Sequence, residues 1–288
     1  MNEFDARAIL FSAIEGGHSF WSREIFSQGA LLTLEKLRDG RYDTVKFSKL
    51  IAVVATSSVD QVLSTIEKTG AQLLTPGHPL WPSSVEDLVA PPIALIVKGN
   101  AASLSIASLA IVGTRNPTNY GARIASDFAA GFVDREWAIV SGGAYGIDSW
   151  AHKGALIAEG TTIAVIASGV DINYPAGNAR LFAEICEIGA VVTEVMPGNP
   201  ALPARFLTRN RLIAALSQAT LVVEAAFRSG SLRTARDAAE IFRPVMAVPG
   251  PINAPTSEGC HRLIVERVAE LVTSVSEIME LVKPINIK

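Results

Sequence analysis

The spacing of hydrophobic positions changes along the chain, from a helical period near the N-terminus to short apolar runs later on. Segments such as FDARAILFSAI and REIFSQGALLTLEKLRD carry apolar residues at helical spacing, while LIAVVATS fits either a helix or a strand. We therefore predict a small helical domain over residues 1–70. A proline-rich stretch, 75–92, follows it and is typical of a linker or an irregular entry segment.

After residue 92, short apolar runs alternate with amphipathic helical segments. Six such pairs occur, with the apolar runs LAIVG, WAIVSG, TIAVIASG, AVVTEV, TLVVEAA and PVMAVPG. The helices that follow them are predicted over residues 120–134, 147–158, 178–188, 206–216, 232–242 and 259–268. Strands that alternate with helices in this way form a parallel sheet with helices on both faces. The sequence therefore predicts a second, α/β domain over residues 71–288.

Bulk composition excludes several classes of protein. The 288 residues are 49% hydrophobic and 18% charged, with a net charge of −3 at pH 7, which suits a globular protein with a buried sheet. No apolar run approaches the roughly 18 residues that a membrane span requires, and the N-terminal MNEFDAR is unlike a signal peptide. Two cysteines are too few for a disulfide framework or a zinc site. We expect a cytoplasmic protein with reduced thiols, no metal and no membrane partner.

Positive charge is concentrated in one part of the chain. Between Arg205 and Arg243 there are seven arginines, no lysine and three acidic residues. Arginine without lysine favours forked recognition of phosphate or carboxylate groups. Two other interpretations remain open for any one of these arginines. It decorates the surface, or it pairs within the protein, as Arg211 would with Glu224 or Glu194.

The candidate binding residues follow the predicted strands. Ligands of parallel sheets bind in the loops beyond the carboxyl ends of the strands, and the loops GTR, SGGAYGID and RSGSL each offer groups that suit an anion. With the segment ARFLTRNR they predict a phosphate-binding edge of the sheet. The candidates are Gly113, Arg115, Ser141, Gly142, Gly143, Tyr145, Gly146, Arg205, Arg209, Asn210, Arg211, Ser229, Gly230, Ser231, Arg233 and Thr234.

Two other chemistries are weighed against this interpretation. SGGAYGID resembles a dinucleotide fingerprint with Ser141 in place of the first glycine, and Asp171 stands where a ribose-binding acid would be needed. The missing glycine argues against a nicotinamide cofactor, so no cofactor is expected. His152 lies four residues after Asp148 on one helix face and is typical of a structural helix residue rather than an acid–base group.

Taken in order, the motifs resemble the DNA-processing protein A family (DprA, also called Smf). The matching pieces are IVGTRNPTNYG, VSGGAYGID, TIAVIASGVDINYP, RNRLIAALS, LVVEA with SGSLRTA, and MAVPGP with EGCHRLI, over roughly residues 73–272. The resemblance implies a Rossmann-like α/β fold preceded by a small helical domain. Some members carry a C-terminal winged helix, and we expect none here because too few residues follow the last motif.

The resemblance also implies a function. Members bind single-stranded DNA during natural transformation, protect it, load the RecA recombinase onto it, and act as homodimers rather than as enzymes. The resemblance places Arg115 on a phosphate, and Tyr145 stands where the family usually has lysine. Arg233 is an added cation in the SGS motif. Tyr145 and Phe227 are candidates for stacking on bases.

Two rival functions belong to other classes. A nucleotide N-glycosidase, which cleaves nucleoside monophosphates, would use a loop that SGSLRTARD echoes, with Thr234 and Asp237 near the required places. The P-G-G and the glutamate of that loop are absent here. A pure protein scaffold would bind no oligonucleotide at all.

Overall fold

The computed structural model describes residues 1–282, in which nine strands form one mixed sheet. The strands are β1 (Ala71–Leu74), β2 (Leu95–Gly99), β3 (Ser108–Val112), β4 (Ala138–Ser141), β5 (Thr162–Val165), β6 (Ala190–Thr193), β7 (Ala219–Val222), β8 (Val245–Ala247) and β9 (Glu270–Leu271). Their order across the sheet is β1-β2-β6-β5-β4-β3-β7-β8-β9. The predicted α/β fold with a mostly parallel sheet is confirmed.

Twelve α-helices accompany these strands within the described residues. They are α1 (Glu3–Ala13), α2 (Ser19–Gln28), α3 (Ala30–Arg38), α4 (Ser48–Thr56), α5 (Val59–Glu67), α6 (Asn119–Val133), α7 (Ile147–Ile157), α8 (Ala179–Ile188), α9 (Pro203–Ala215), α10 (Ser231–Glu240), α11 (Glu258–Val265) and α12 (Val275–Val282). Helix α9 begins three residues before its predicted start because Pro203, whose fixed φ suits a first helical turn, opens it. No single described helix is long and apolar enough to span a membrane, although the bent pair of α4 and α5 meets the criteria of length and composition.

The sheet differs from the prediction at one edge. Strands β3 to β9 pair in parallel, whereas β2 pairs antiparallel with both β1 and β6. The proline-rich stretch 75–92 is the connection between β1 and β2, and contains a short 3₁₀ helix at Ser83–Asp87. These two strands were not predicted, because β1 falls on the expected domain boundary and neither is followed by a helical repeat.

The strand order creates a switch point beside β3. The chain runs outward from β3 through β4 and β5 to β6, then returns through α9 to β7 on the other side of β3. The carboxyl ends of β3 and β7 therefore lie side by side while their following loops diverge. In open α/β sheets this crevice is where ligands bind.

The hydrophobic core does not stop at residue 70. Trp21, Leu34 and Ile66 of the N-terminal helices belong to the same buried cluster as Ala164 of β5 and Val191 of β6. The change from helices to strands coincides with the predicted boundary, but apolar packing continues across it. Division into two domains at residues 70 and 71 stays a prediction.

This continuity predicts how the protein unfolds. Trp21 is 2% exposed, and the rings of Tyr42 and Phe47 lie 5.0 and 4.9 Å from its ring. Trp21→Ala should lower the free energy of unfolding by about 3–5 kcal/mol, within one transition. Urea denaturation followed by circular dichroism measures this, with Phe26→Ala on the same helix as a near-neutral control because Phe26 is 78% exposed. Two transitions, only one of them shifted, would show instead that residues 1–70 have an independent core.

Candidate nucleic-acid interface

A cleft of about 420 Å³ occupies the switch point between β3 and β7. Four segments line it, namely the loop after β3, the loop after β4 with the start of α7, one face of α9, and the loop after β7 with the start of α10. The predicted residues that the structure brings together there are Gly113, Arg115, Arg209, Asn210, Ser229, Gly230, Ser231 and Thr234. Three of the predicted motifs thus meet at one place, as expected for loops at the same edge of the sheet.

The cleft carries unpaired positive charge. Arg115 and Arg228 are both exposed, and neither forms an ion pair within residues 1–282. Asp148 is the one acidic residue among the described residues of the lining, and it is 7% exposed. The surface of the cleft is therefore positive and suits an extended anion.

Arg209 is held differently from Arg115. It is 7% exposed, and its Nη1 donates hydrogen bonds to the carbonyl of Gly142, at 2.6 Å, and to that of Val165. Burial lowers the pKa of Arg209 to about 10, against the opposing effect of Asp148. Its guanidinium thus holds α9 against the ends of β4 and β5. Arg209 lines the cleft, but its Nη1 is already engaged with protein carbonyls.

Residues 141–146, between β4 and α7, form a glycine turn, and several of its polar groups make hydrogen bonds within the protein. The backbone N–H groups of Gly142 and Ala144 donate to Asp148 Oδ2 at 3.2 and 3.4 Å. Burial raises the pKa of Asp148, and the nearby Arg209 opposes that shift. The Ser141 hydroxyl is fully buried and donates to the Ile111 carbonyl at 2.6 Å. Ser141 and Gly142 therefore lie behind the cleft, outside its lining.

The glycines of this turn are explained by close packing. A Cβ on Gly142 would lie 2.5 Å from Arg209 Nη1, and one on Gly143 (φ +67°) would lie 2.4 Å from the Phe182 ring. Gly146 has φ +84°, and its Cβ would lie 2.3 Å from the Thr114 carbonyl oxygen. The turn is thus pressed against both α9 and the loop that carries Arg115. Tyr145, at its tip, is 51% exposed and is not part of the cleft lining.

Two of the candidate binding residues, Arg205 and Arg211, lie on the face of α9 that is turned away from the cleft. Arg205 pairs with Glu15 at 2.5 Å, and Arg211 pairs with Glu194 at 2.5 Å. Of the two acidic partners considered for Arg211, Glu194 is the one observed. Burial raises the pKa of Glu194, and the Arg211 guanidinium opposes that shift. The structure does not bring Arg205 or Arg211 together with the residues of the cleft.

The N-glycosidase alternative can be located on α10. Arg233 Nε donates to Asp237 Oδ1 at 2.6 Å, and Arg233 is not in the cleft lining. Thr234 does line the cleft, although it is only 1% exposed. Asp237 is 4% exposed and lies outside the lining. The carboxylate that this alternative requires is therefore engaged with Arg233 away from the cleft.

Sequence reasoning missed the aromatic surface of the cleft. The Phe206 ring has the Arg115 guanidinium 5.4 Å from its centroid and the Tyr174 ring at 5.3 Å. Phe227, one of the two predicted stacking residues, packs instead against Arg262, at 4.5 Å from its centroid. The sequence did contain a signal for Phe206. Residues four apart share a helix face, and Phe206 precedes the candidate Asn210 by four.

Glu224, just after β7, was considered only as a partner for Arg211. Its φ is +62°, its carbonyl accepts from Thr114 N at 2.7 Å, and its carboxylate accepts from Thr118 N at 2.9 Å. The Thr118 hydroxyl donates to the same carboxylate at 2.6 Å. These bonds fix the loop between β3 and α6 from both ends, and so place Arg115 at the cleft.

The residues considered for other chemistries have structural partners. Both carboxylate oxygens of Asp171 accept from Gly198 N, at 2.9 and 3.0 Å. His152 is fully buried with Nδ1 2.7 Å from the Thr162 hydroxyl, and burial lowers its pKa to about 3. Within residues 1–282 no cluster of three or more His, Cys, Asp or Glu side chains is placed to hold a metal ion.

The fold is that of a Rossmann-like α/β protein, and its basic cleft at the switch point is the candidate ligand site. The chain belongs to the DNA recombination-mediator protein A family, whose model matches residues 72–283. The resemblance drawn from the motifs is thereby confirmed.

Relatives cover most of the chain. The putative DNA processing protein DprA of Mycobacterium tuberculosis is 43% identical over 244 residues, covering 79% of this chain and 62% of the relative. The chain thus spans a little under two thirds of that relative. The DNA processing protein DprA of Streptococcus pneumoniae is 41% identical over 199 residues, covering 69% of this chain and 70% of the relative.

Two solved structures share the fold. The X-ray structure of DprA from Streptococcus pneumoniae has a TM-score of 0.75 at 36% identity and covers 81% of both chains. DNA processing protein A from Helicobacter pylori, whose structure gave insights into its unique single-stranded DNA binding mode, has a TM-score of 0.67 at 29% identity. That match covers 73% of this chain and 94% of the other.

The packing of the glycine turn makes a stability prediction. Gly146→Ala should lower the free energy of unfolding by about 2–4 kcal/mol, because a side chain there meets both a left-handed backbone and the Thr114 carbonyl. Gly230→Ala is the matched control, since a Cβ at Gly230 has no atom within 4 Å and its φ is −63°. Thermal or chemical unfolding measures both. Equal stability of the two variants would contradict this account of the turn.

Proposed function

We propose that the protein binds single-stranded DNA in the cleft at the switch point and delivers it to a recombinase. The observation that carries this proposal is the arrangement of Arg115, which is exposed, forms no ion pair among the described residues, and lies over the Phe206 ring. A cation beside an aromatic face is the combination that single-strand binders use for phosphate and base. Family membership and the Helicobacter pylori relative support the same interpretation.

The phosphate backbone is proposed to follow the two exposed cations. Arg115 and Arg228 lie on the loops after β3 and β7, one on either side of the switch point. Between them the hydroxyls of Ser229 and Ser231 lie 2.7 Å apart at the start of α10, where backbone N–H groups favour an anion. Gly230 leaves space there, because nothing lies within 4 Å of the position of its Cβ.

Bases are proposed to stack on the aromatic surface beside the cleft. Phe206 is partly buried and packs against Tyr174, which is 47% exposed. The more buried ring therefore holds the more exposed one in place. Tyr145 lies on the neighbouring loop after β4 and is proposed to extend the same path. Stacking needs no particular base, so we expect binding that depends little on sequence.

The wider role follows from the family rather than from the cleft. We propose a cytoplasmic homodimer that protects incoming DNA and loads RecA during natural transformation or recombination. It acts by binding, without catalysing a reaction. Incubation with AMP tests the N-glycosidase alternative directly, because release of free adenine would overturn the binding-only role.

The first prediction for binding concerns charge. Arg115→Ala should weaken binding of a labelled single strand by about 10- to 100-fold, because a charge-assisted hydrogen bond to phosphate is lost. The slope of log K against log salt should become shallower by about 0.7, which corresponds to one released counterion contact. Fluorescence anisotropy at several salt concentrations measures both quantities.

Arg135→Ala provides the matched control for that experiment. Arg135 is also exposed, but it lies between the end of α6 and the start of β4. It is therefore at the amino ends of the parallel strands, whereas the cleft is at their carboxyl ends. Its removal should leave affinity and salt slope nearly unchanged. Equal effects of the two substitutions would mean that the protein's overall charge, rather than the cleft, attracts DNA, and the proposed site would be wrong.

A second prediction separates stacking from charge. Phe206→Leu keeps apolar volume on α9 but removes the ring, and should cost about 1–3 kcal/mol of binding free energy. The salt slope should stay at the wild-type value, because no cation is removed. Unchanged affinity, or a loss of affinity accompanied by a changed slope, would contradict a stacking role for Phe206.

A further inference from the structure

A second cavity, of about 300 Å³, lies against the other face of α9. Its walls come from α9, the segments that follow β5 and β6, and Glu15 and Gly16 after α1. Arg209 is the one described residue that lines both this cavity and the cleft at the switch point. The volume is at the lower end of the range of about 300–1000 Å³ that is common for small-molecule sites.

The interior of this second cavity is apolar. Ile166, Ala167 and Leu212 are buried side chains of its wall, and Val195 adds a further aliphatic surface. An apolar wall of this kind favours a hydrocarbon or aromatic body, since burying such a surface is the main source of affinity in small-molecule sites. The exposed side of α9 at Ala204 provides an opening to solvent.

The charges around the second cavity are balanced with one exception. Arg205 is paired with Glu15, and Glu194 is paired with Arg211. Arg209 forms no ion pair within residues 1–282, and its buried Nε donates to no acceptor there. A guanidinium in the wall of an apolar cavity attracts a negatively charged group when no carboxylate of the protein is paired with it, so a ligand that supplies one carboxylate gains affinity.

The same charges limit what that ligand can be. Glu15 and Glu194 both line the second cavity, so a polyanion such as a nucleoside triphosphate would meet two carboxylates. A single negative charge next to Arg209 meets less of this repulsion and still pairs with the guanidinium. The chemistry therefore selects a monoanion over a phosphate-rich molecule.

We propose that the second cavity is a binding site for a small monoanion with an apolar body, of the class of the aromatic carboxylates. The carboxylate pairs with the Arg209 guanidinium, and the ring system packs against Ile166 and Leu212. Among the described residues, this cavity shares Arg209 alone with the cleft at the switch point. The proposal does not depend on DNA binding and is tested without DNA.

Isothermal titration of the 288-residue protein with 2-naphthoate tests the proposal. We expect saturable binding with one site per chain, and at least tenfold weaker binding of the neutral 2-naphthylmethanol, which has the same ring. Absence of binding would overturn the proposal. Equal affinity for the two probes would overturn the role given to Arg209.

Variants then locate the bound probe. Ala204→Trp should fill the mouth of the second cavity and weaken 2-naphthoate binding at least tenfold. Ala102→Trp should not, because Ala102 is exposed and lies just after β2, next to the start of β6, whereas the cavity lies beyond the end of β6. Leu202→Glu is a second test that adds a negative charge at the mouth, where Leu202 is 44% exposed, and should weaken binding of the anion more than that of the alcohol. Undiminished binding in both variants, or displacement of the probe by an oligonucleotide that competes for the same site, would place it elsewhere and overturn the assignment.

Discussion

The buried guanidinium of Arg209 holds the functional edge of this protein together. It donates to carbonyl oxygens at the ends of two neighbouring strands, β4 and β5, while its backbone belongs to α9. A buried cation is costly unless its donors are satisfied. Here two carbonyls and the nearby Asp148 provide part of the compensation, while Nε has no acceptor among the described residues. The absence of a side chain at Gly142 follows directly, because a Cβ there would overlap the guanidinium.

Once α9 is fixed in this way, its two faces acquire different roles. Phe206 and Asn210 are directed to the cleft, whereas Arg205 and Arg211 are held by acidic residues on the other face. The helix rich in arginine therefore provides structure and an aromatic surface. The cations that remain exposed belong to the loops, at Arg115 and Arg228. The positive charge proposed to bind DNA is therefore carried by loops on a rigid scaffold, as is common for functional sites.

How far the sequence predicts this arrangement depends on whether a feature is local. Alternation of apolar runs and helices predicted the sheet, and the rule for strand ends brought Arg115, Asn210 and Ser231 together correctly. The antiparallel strands β1 and β2 were missed because short strands beside prolines lack a distinguishing period. Arg115 and Arg209 have the same side chain, and only the tertiary contacts of each decide which guanidinium is buried. Partner choice over long sequence distances is not contained in local spacing.

The same reasoning assigns a role to the N-terminal helices. Glu15, just after α1, pairs with Arg205 of α9, and apolar residues of the N-terminal helices share a cluster with β5, β6 and α8. The position of α9, which lines both the cleft at the switch point and the second cavity, is therefore set partly by residues outside the sheet. A displacement of α1 would thus reach the cleft through α9. The helical segment is in this sense a structural support of the site, even though none of its residues lines the cleft.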